Sequence, residues 1–318
     1  MYERHRVVRC PTEAFRVLGC PFRLPPLISD TAGMPTPCHT FAGMSLLVQP
    51  KEFMHIYLYL TGKPLLGGRR RGRWKVLALQ ILRARPSVPP GMRIYAIGDV
   101  HGRADLLIDL FRRIDRDLQA HPVARSTQVF LGDYIDRGPH SRQVVDLLIT
   151  RQQKHDVLFL KGNHEVYASR FLSDPTVLSE WKLVGCISTL LSYGVTPTAC
   201  DDPHSQHELA KALREAMPDS HRRFIQGLAL SFTCGDFFFA HAGVRPGIPL
   251  QKQSEQDLLW IRDDFLFHEE DFGKIVVHGH TAAMEPEIRP NRINIDTGAY
   301  ATGRLTCLVL EGDQMSFL

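Results

Sequence analysis

Asp99 and His101 in GDVHG (98–102), Asp133, Asp136 and Arg137 in GDYIDRG (132–138), and Asn163 and His164 in GNHE (162–165) gather oxygen and imidazole donors into three short blocks. Each block follows an apolar run that reads as a strand: RIYAI (93–97), TQVFL (127–131) and DVLFLK (156–161). Such donors, delivered from consecutive strand ends, are what a two-metal hydrolytic centre needs, where bound cations activate water and offset charge on reacting oxygens. Two later runs end in the same way. FFFAHAG (237–243) leaves His241 at a strand end, and KIVVHGHT (274–281) leaves His278 or His280 there. The set Asp99, His101, Asp133, Asn163, His241 and His280 contains no thiolate, so it suits Mn²⁺, Fe or Zn²⁺ rather than a soft metal. One carboxylate must bridge two ions roughly 3.5–4 Å apart. Asp133, on the middle strand of the three, is the candidate.

The elements that must position these residues alternate in type. RADLLIDLFRRIDRDL (103–118) places Leu106, Leu107, Leu110, Ile114 and Leu118 at helical spacing. SRQVVDLLITRQQK (141–154) is a second helix, entered through Gly138 and Pro139. This β-α-β-α-β order implies right-handed crossovers and a parallel sheet, and sites in such sheets form beyond the strands' carboxyl ends. Residues 166–228 read as a mainly helical insert over the site, with helices at 181–195 and 208–217 and a polar stretch, 198–206, between them. Then strand runs return at 228–233, 237–243, 274–281, 292–296 and 305–311, predicting a second sheet packed on the first. The expected fold class is α/β (α+β), with two packed mixed β-sheets flanked by helices and a dinuclear site at strand ends. The catalytic domain spans 92–318. Before it, 1–91 is expected to be a basic extension and linker. Its prolines disfavour regular structure over 1–52, a short helix is expected over 74–84, and RPSVPPG (85–91) reads as a linker.

Composition narrows the function classes. The 318 residues are 44% apolar, ordinary for a folded protein of one large or two small domains. Residues 1–91 hold 14 of the 38 Lys+Arg but only 4 of the 34 Asp+Glu, so 92–318 is net acidic although the chain is net +4. An acidic body argues against nucleic acid as a partner, because binding the phosphate backbone needs a positive surface. Seven cysteines, an odd number with no CxxC pair, argue against a disulfide scaffold or thiolate zinc site and for a reducing, cytoplasmic location. FMHIYLYL (53–60) is too short to span a bilayer. Arg4, Arg6, Arg9, Glu13 and Arg16 interrupt any secretory core in residues 1–20. The basic run GGRRRGRWK (67–75) reads as a solvated tether, with a membrane surface or an acidic partner as the sharper alternative.

GDVHG, GDYIDRG, GNHE, HAG (241–243) and GHT (279–281) occur in the order and approximate spacing of the phosphoprotein phosphatase family of metallophosphoesterases. The chain resembles that family over about residues 92–318. Within it the resemblance is to the bacterial and phage-type serine/threonine phosphatases, supported by HAGVRPG (241–247), LLWIRDDF (258–265) and IDTGA (295–299). It implies two divalent ions, Mn²⁺ first, with Fe or Zn²⁺ as alternatives. Asp99 and His101 would hold one ion, Asn163, His241 and His280 the other, and Asp133 both. A hydroxide between the ions would attack phosphorus in line. His164 would protonate the departing oxygen as general acid, and Asp136 would hold His164 cationic. Arg137 and Arg262 would grip phosphate oxygens through bidentate contacts. Between His278 and His280, the family's histidine preceding a threonine selects His280. Arg245 stays open between a further phosphate contact and a structural ion pair. Two departures stand out. Residues 1–91 have no counterpart in the family, and IDTGAYATG (295–303) stands where eukaryotic members carry an extended tyrosine-bearing loop.

Blander readings exist for single residues. A lone Asp in a strand-to-helix turn usually caps the helix, and Asn163 or His164 alone would pass as turn residues. Five ordered motifs make chance a poor account. Glu165 reads as a helix-start carboxylate and Asp296 as a turn residue. The expectation is a metal-dependent phosphomonoester hydrolase, first a serine/threonine protein phosphatase, acting on a phosphorylated protein or a small phosphoester. The runner-up is a dinucleoside polyphosphate hydrolase of the same fold, of the diadenosine tetraphosphate type, which needs room and positive charge for two nucleosides. A non-catalytic adaptor comes third, against the retention of every ligand and of His164.

Overall fold

The computed structural model describes residues 44–47, 57–60, 85–197 and 202–318. Two units divide the chain, Met1–Ile81 and Leu82–Leu318. In the first, β1 (Met44–Leu47) pairs antiparallel with β2 (Tyr57–Leu60). The basic run 67–75, the helix expected over 74–84 and the rest of 1–52 lie outside the described residues.

The second unit is built on two five-stranded sheets. In the first, β3 (Met92–Ile97), β4 (Arg125–Phe130) and β5 (Val157–Phe159) run parallel. Between them lie helices α1 (Ala104–Ala120) and α2 (Ser141–Arg151), the crossovers expected from the alternation. The second sheet runs β6 (Ser231–Cys234), β7 (Phe237–Ala240), β8 (Ile275–His278), β10 (Arg292–Asn294), β9 (Glu287–Ile288). Its inner three strands are parallel, and both edges are antiparallel.

Strand periodicity sorts side chains between two cores. On β3, Ile94 and Ala96 enter the layer between the sheets, with Val129, Phe239, Val277 and Ile293. Tyr95 and Ile97 face the helices, where they meet Leu107, Leu110, Ile114 and Val144. The run 305–311 departs from expectation. It forms β11 (Cys307–Glu311), which pairs antiparallel with β3 in the first sheet, with β12 (Gln314–Phe317) outside it. Its residues explain this. Leu308 and Leu310 fill the inter-sheet layer while Cys307 and Val309 face the helices, so both faces are apolar, as an interior strand requires.

The insert is helical, but the single helix expected over 181–195 is two: α4 (Leu178–Val184) and α5 (Cys186–Ser192). Gly185, at φ +105°, breaks it, and its carbonyl accepts the Arg137 backbone N–H at 3.2 Å. α6 (Pro203–Ala216) and α7 (Asp219–Gln226) complete the insert. Among the described residues no helix is long and apolar enough to cross a membrane.

Leu107 is fully buried and Leu183 is 87% exposed. Leu107→Ala should destabilise the protein by about 2–5 kcal/mol, and Leu183→Ala by no more than about 0.5 kcal/mol. Denaturant titration of both variants checks this.

Candidate active site

Five non-glycine residues have positive φ among the described residues: His101 (43°), Asp133 (52°), Asp136 (69°), Arg137 (65°) and His280 (67°). All five are site candidates. Each such conformation costs on the order of 1–3 kcal/mol and persists only where the surroundings enforce it. The enforcing bonds are present. The Val100 and His101 N–H groups donate to the Asp133 carbonyl at 3.1 and 2.8 Å, and the Gly138 N–H donates to the His101 carbonyl at 3.1 Å. Glu165, in the first turn of α3 (Asn163–Phe171), accepts N–H groups from Gly162 and Asp133 at 3.0 Å each and from Tyr134 at 2.8 Å. Burial, with Asp133 nearby, raises its carboxyl to about 7. Glycine is required at 162, because a Cβ there would lie 2.0 Å from Asp133 Oδ1.

Asp133 sits at the centre, buried. Its Oδ2 lies 3.5 Å from His101 Nε2 and 3.6 Å from His164 Nε2, and its Oδ1 lies 3.4 Å from His241 Nε2. Burial favours its protonated form, but the imidazoles of His164, His241 and His101 outweigh that and hold it well below the usual carboxylate range. Two groups of ligand-type side chains share this carboxylate, His101–Asp133–His164 and Asp133–His241–His280, each with ligand atoms within 4.8 Å of one another. Asn163 Oδ1 joins the second, 3.0 Å from both His241 Nε2 and His280 Nδ1.

The donor chemistry fits cations. His101 Nδ1–H and His241 Nδ1–H each donate to a backbone carbonyl, of Ile135 and Leu131, both at 2.9 Å. That choice of tautomer turns each Nε2 lone pair inward. His241 Nε2 then faces the oxygens of Asn163 and Asp133, lone pair against lone pair, a repulsion that a cation between them removes. Burial keeps the rings neutral, with His101 lowered to about 3 and His280 to about 2, as a metal ligand should be. Four buried side-chain polar atoms lack a partner among the described residues. Three of them, Asp99 Oδ1, His101 Nε2 and His280 Nε2, belong to the candidate ligands.

Asp99 is held by the His280 N–H on Oδ2 at 3.1 Å, and a Cβ on Gly279 would collide with its Oδ1. Beside it lies Asp296. This residue does form the expected turn, accepting the Gly298 N–H at 2.8 Å, but it is also buried. Burial raises it to about 6, and Asp99 rises well above the carboxylate range from burial and the Asp296 charge. Two such carboxyls hold either protons or a cation between them. His278 is not part of the group. β8 ends there, so strand alternation does not continue to His280; His278 bonds the Gly279 carbonyl and packs on Phe265.

His164 stands apart in its bonding. Its Nδ1 is 2.7 Å from Asp136 Oδ2, and Asp133 and Asp136 raise it against the lowering effect of burial. Asp136 is itself saturated, by the Trp181 indole N–H at 2.7 Å and the Thr189 hydroxyl at 2.5 Å. Trp181 and Thr189 come from the insert and carry no motif; nothing in their sequence surroundings marks them. Arg137 Nη2 lies 3.5 Å from His164 Nε2, and its guanidinium sits 4.6 Å over the ring of Tyr300, which meets His101 edge-on at 5.5 Å. Arg262 donates to the Thr281 hydroxyl at 3.3 Å, and its charge lowers both His241 and His280. Arg245 pairs its guanidinium with Asp257 at 2.7 Å and Asp264 at 3.0 Å, the geometry of the ion-pair reading.

The model of the calcineurin-like phosphoesterase family matches residues 92–295, and the chain belongs to that family. Its members work with a dinuclear divalent metal centre, and the two ligand groups around Asp133 are the candidates for one here. Curated relatives include two proteins named bis(5'-nucleosyl)-tetraphosphatase PrpE [asymmetrical]. That of Anoxybacillus flavithermus is 27% identical over 231 residues, 67% of this chain and 88% of the relative. That of Halalkalibacterium halodurans is 28% identical over 239 residues, 68% and 89%. Among solved structures, the cold-active protein-tyrosine phosphatase of a Shewanella species is similar at 14% identity and a TM-score of 0.45, over 90% of this chain and 96% of that one.

Trp181→Phe keeps most of the ring volume but removes the N–H on Asp136. It should lower the melting temperature, because a buried carboxylate short of one donor costs about 1–3 kcal/mol. It should also slow hydrolysis of an aryl phosphate. Calorimetry and steady-state kinetics on the variant check both.

Proposed function

We propose that this calcineurin-like phosphoesterase hydrolyses dinucleoside tetraphosphates asymmetrically. The observation that carries the reading is the shared name of the curated relatives, which align over nearly nine-tenths of their own length. It moves the runner-up of the sequence analysis ahead of the serine/threonine protein phosphatase.

Asp99 and His101 would hold one ion, Asn163, His241 and His280 the other, and Asp133 both. Two divalent ions there, Mn²⁺ foremost, would supply a nucleophile near neutral pH and offset phosphoryl charge. The chain's other residues are assigned by their bonding. Asp136 accepts the Nδ1 proton of His164, so the proton available to a leaving oxygen sits on Nε2. Asp133 and Asp136 raise the affinity of His164 for protons, which favours the form that carries this one. Arg137, 3.5 Å from the same Nε2, places a gripped phosphate beside the proton donor. Arg262 grips from the side of His241 and His280. The Tyr300 ring, 4.6 Å from the Arg137 guanidinium carbon, would help to hold that group for bidentate contact with phosphate.

One panel with added Mn²⁺ tests the substrate: diadenosine tetraphosphate, a phosphoserine peptide and an aryl phosphate. The dinucleotide should have the highest kcat/KM. Turnover of the phosphopeptide alone would restore the protein phosphatase, and no turnover at all would remove the enzyme. His164→Asn separates two roles, because His164 also lies within ligand range of His101 and Asp133. As general acid, its loss should leave metal content intact and lower kcat about 10²–10⁴-fold. Loss of metal instead would make it a ligand.

A further inference from the structure

We propose that the cavity between the 266–269 turn, the 281–283 loop and the β9–β10 hairpin binds the nucleoside at the far end of the dinucleotide. The inference rests on the proposed function and adds a second binding site to it.

The cavity has a volume of about 610 Å³, within the roughly 300–1,000 Å³ typical of small-molecule sites. It adjoins the candidate metal centre. Thr281, one of its walls, follows His280 directly and accepts a hydrogen bond from Arg262 at 3.3 Å. Arg262 thus touches the cavity wall and lies near enough to His241 and His280 for its charge to act on both, so a polyphosphate leading from the centre toward the cavity would meet a cation.

The walls favour an uncharged guest. Arg289 is paired with Glu287 at 2.6 Å, and Arg292 with the same carboxylate at 2.7 Å. The Asn291 amide donates to the carbonyls of His268 and Glu270 at 2.8 and 2.9 Å. Glu269 adds a further negative charge to the wall. The two arginines are balanced by Glu287 and Glu269, so the wall offers a phosphate chain no net positive charge; the chain meets its cation at Arg262, and the part that continues inward is the nucleoside. Ala282 and Ala283 keep one wall low. Phe267 supplies an aromatic face. It lines the cavity yet is 79% exposed, so its ring is available to stack on a base.

Phe267→Ala removes the stacking face and Ala282→Trp fills the room. Both would be made in the full chain and assayed with Mn²⁺ against diadenosine tetraphosphate and an aryl phosphate. In each variant the ratio of kcat/KM for the dinucleotide to that for the aryl phosphate should fall about tenfold, through KM for the dinucleotide. Adenosine should compete with the dinucleotide in the parent and less in either variant. If the parent cleaves the dinucleotide and neither variant changes the ratio, the cavity is not the site and the function stands. A fall confined to kcat would also overturn the site, because it would mark a structural effect. If the parent does not cleave the dinucleotide, both the function and the site fall.

Discussion

A buried carboxylate must be answered by positive charge, by hydrogen-bond donors or by a proton, and the organisation of this protein follows from how Asp133 is answered. Its two oxygens face His101, His164 and His241 at 3.4–3.6 Å, too long for good hydrogen bonds and about right for groups that share an ion. Two of those three rings have turned their lone pairs inward by donating Nδ1–H to backbone carbonyls. Asp99 and Asp296 add two more carboxyls, pushed toward protonation by burial and by neighbouring carboxylate charge, that of Asp296 and Asp133 on Asp99 and that of Asp133 on Asp296. Without cations this would be an unfavourable concentration of like groups. With two of them it becomes a set of ligands.

The fold brings these groups together at the ends of strands from two different sheets. The first sheet presents Asp99, His101 and Asp133 after β3 and β4, and Asn163 after β5. The second presents His241 after β7 and His280 after β8. Strand ends alone do not aim the side chains; the left-handed turns do. Five strained residues are tolerated because interlocking backbone bonds and the Glu165 carboxylate hold the loops in one arrangement. The insert does the same for His164. Trp181 and Thr189 fix Asp136, and Asp136 fixes His164.

Much of this was legible in the sequence, because the motif blocks are local. Each ligand lies within a few residues of a strand whose apolar run is plain, so the three parallel strands, both crossover helices and the candidate ligands could be read directly. What could not be read depends on partners far along the chain. The sequence of β11 shows that it is a strand, not that it pairs with β3 in the first sheet. The break at Gly185 is set by the docking of Arg137, 48 positions away. Trp181 and Thr189 look like ordinary core residues of an amphipathic helix, and only the fold shows their polar atoms meeting Asp136. Arg245 was ambiguous for the same reason, since its acidic partners lie 12 and 19 residues on. Substrate choice is still less local, which is why the motifs fix phosphoester chemistry and the relatives' names carry the nucleotide reading.

The central claim is that Asp133 serves two ions at once. Calorimetric titration of the metal-free protein with Mn²⁺ tests it most directly, using the parent and Asp133→Asn. The account predicts two ions per chain in the parent and loss of tight binding at both sites in the variant. One ion in the parent, or two in Asp133→Asn at undiminished affinity, would contradict it.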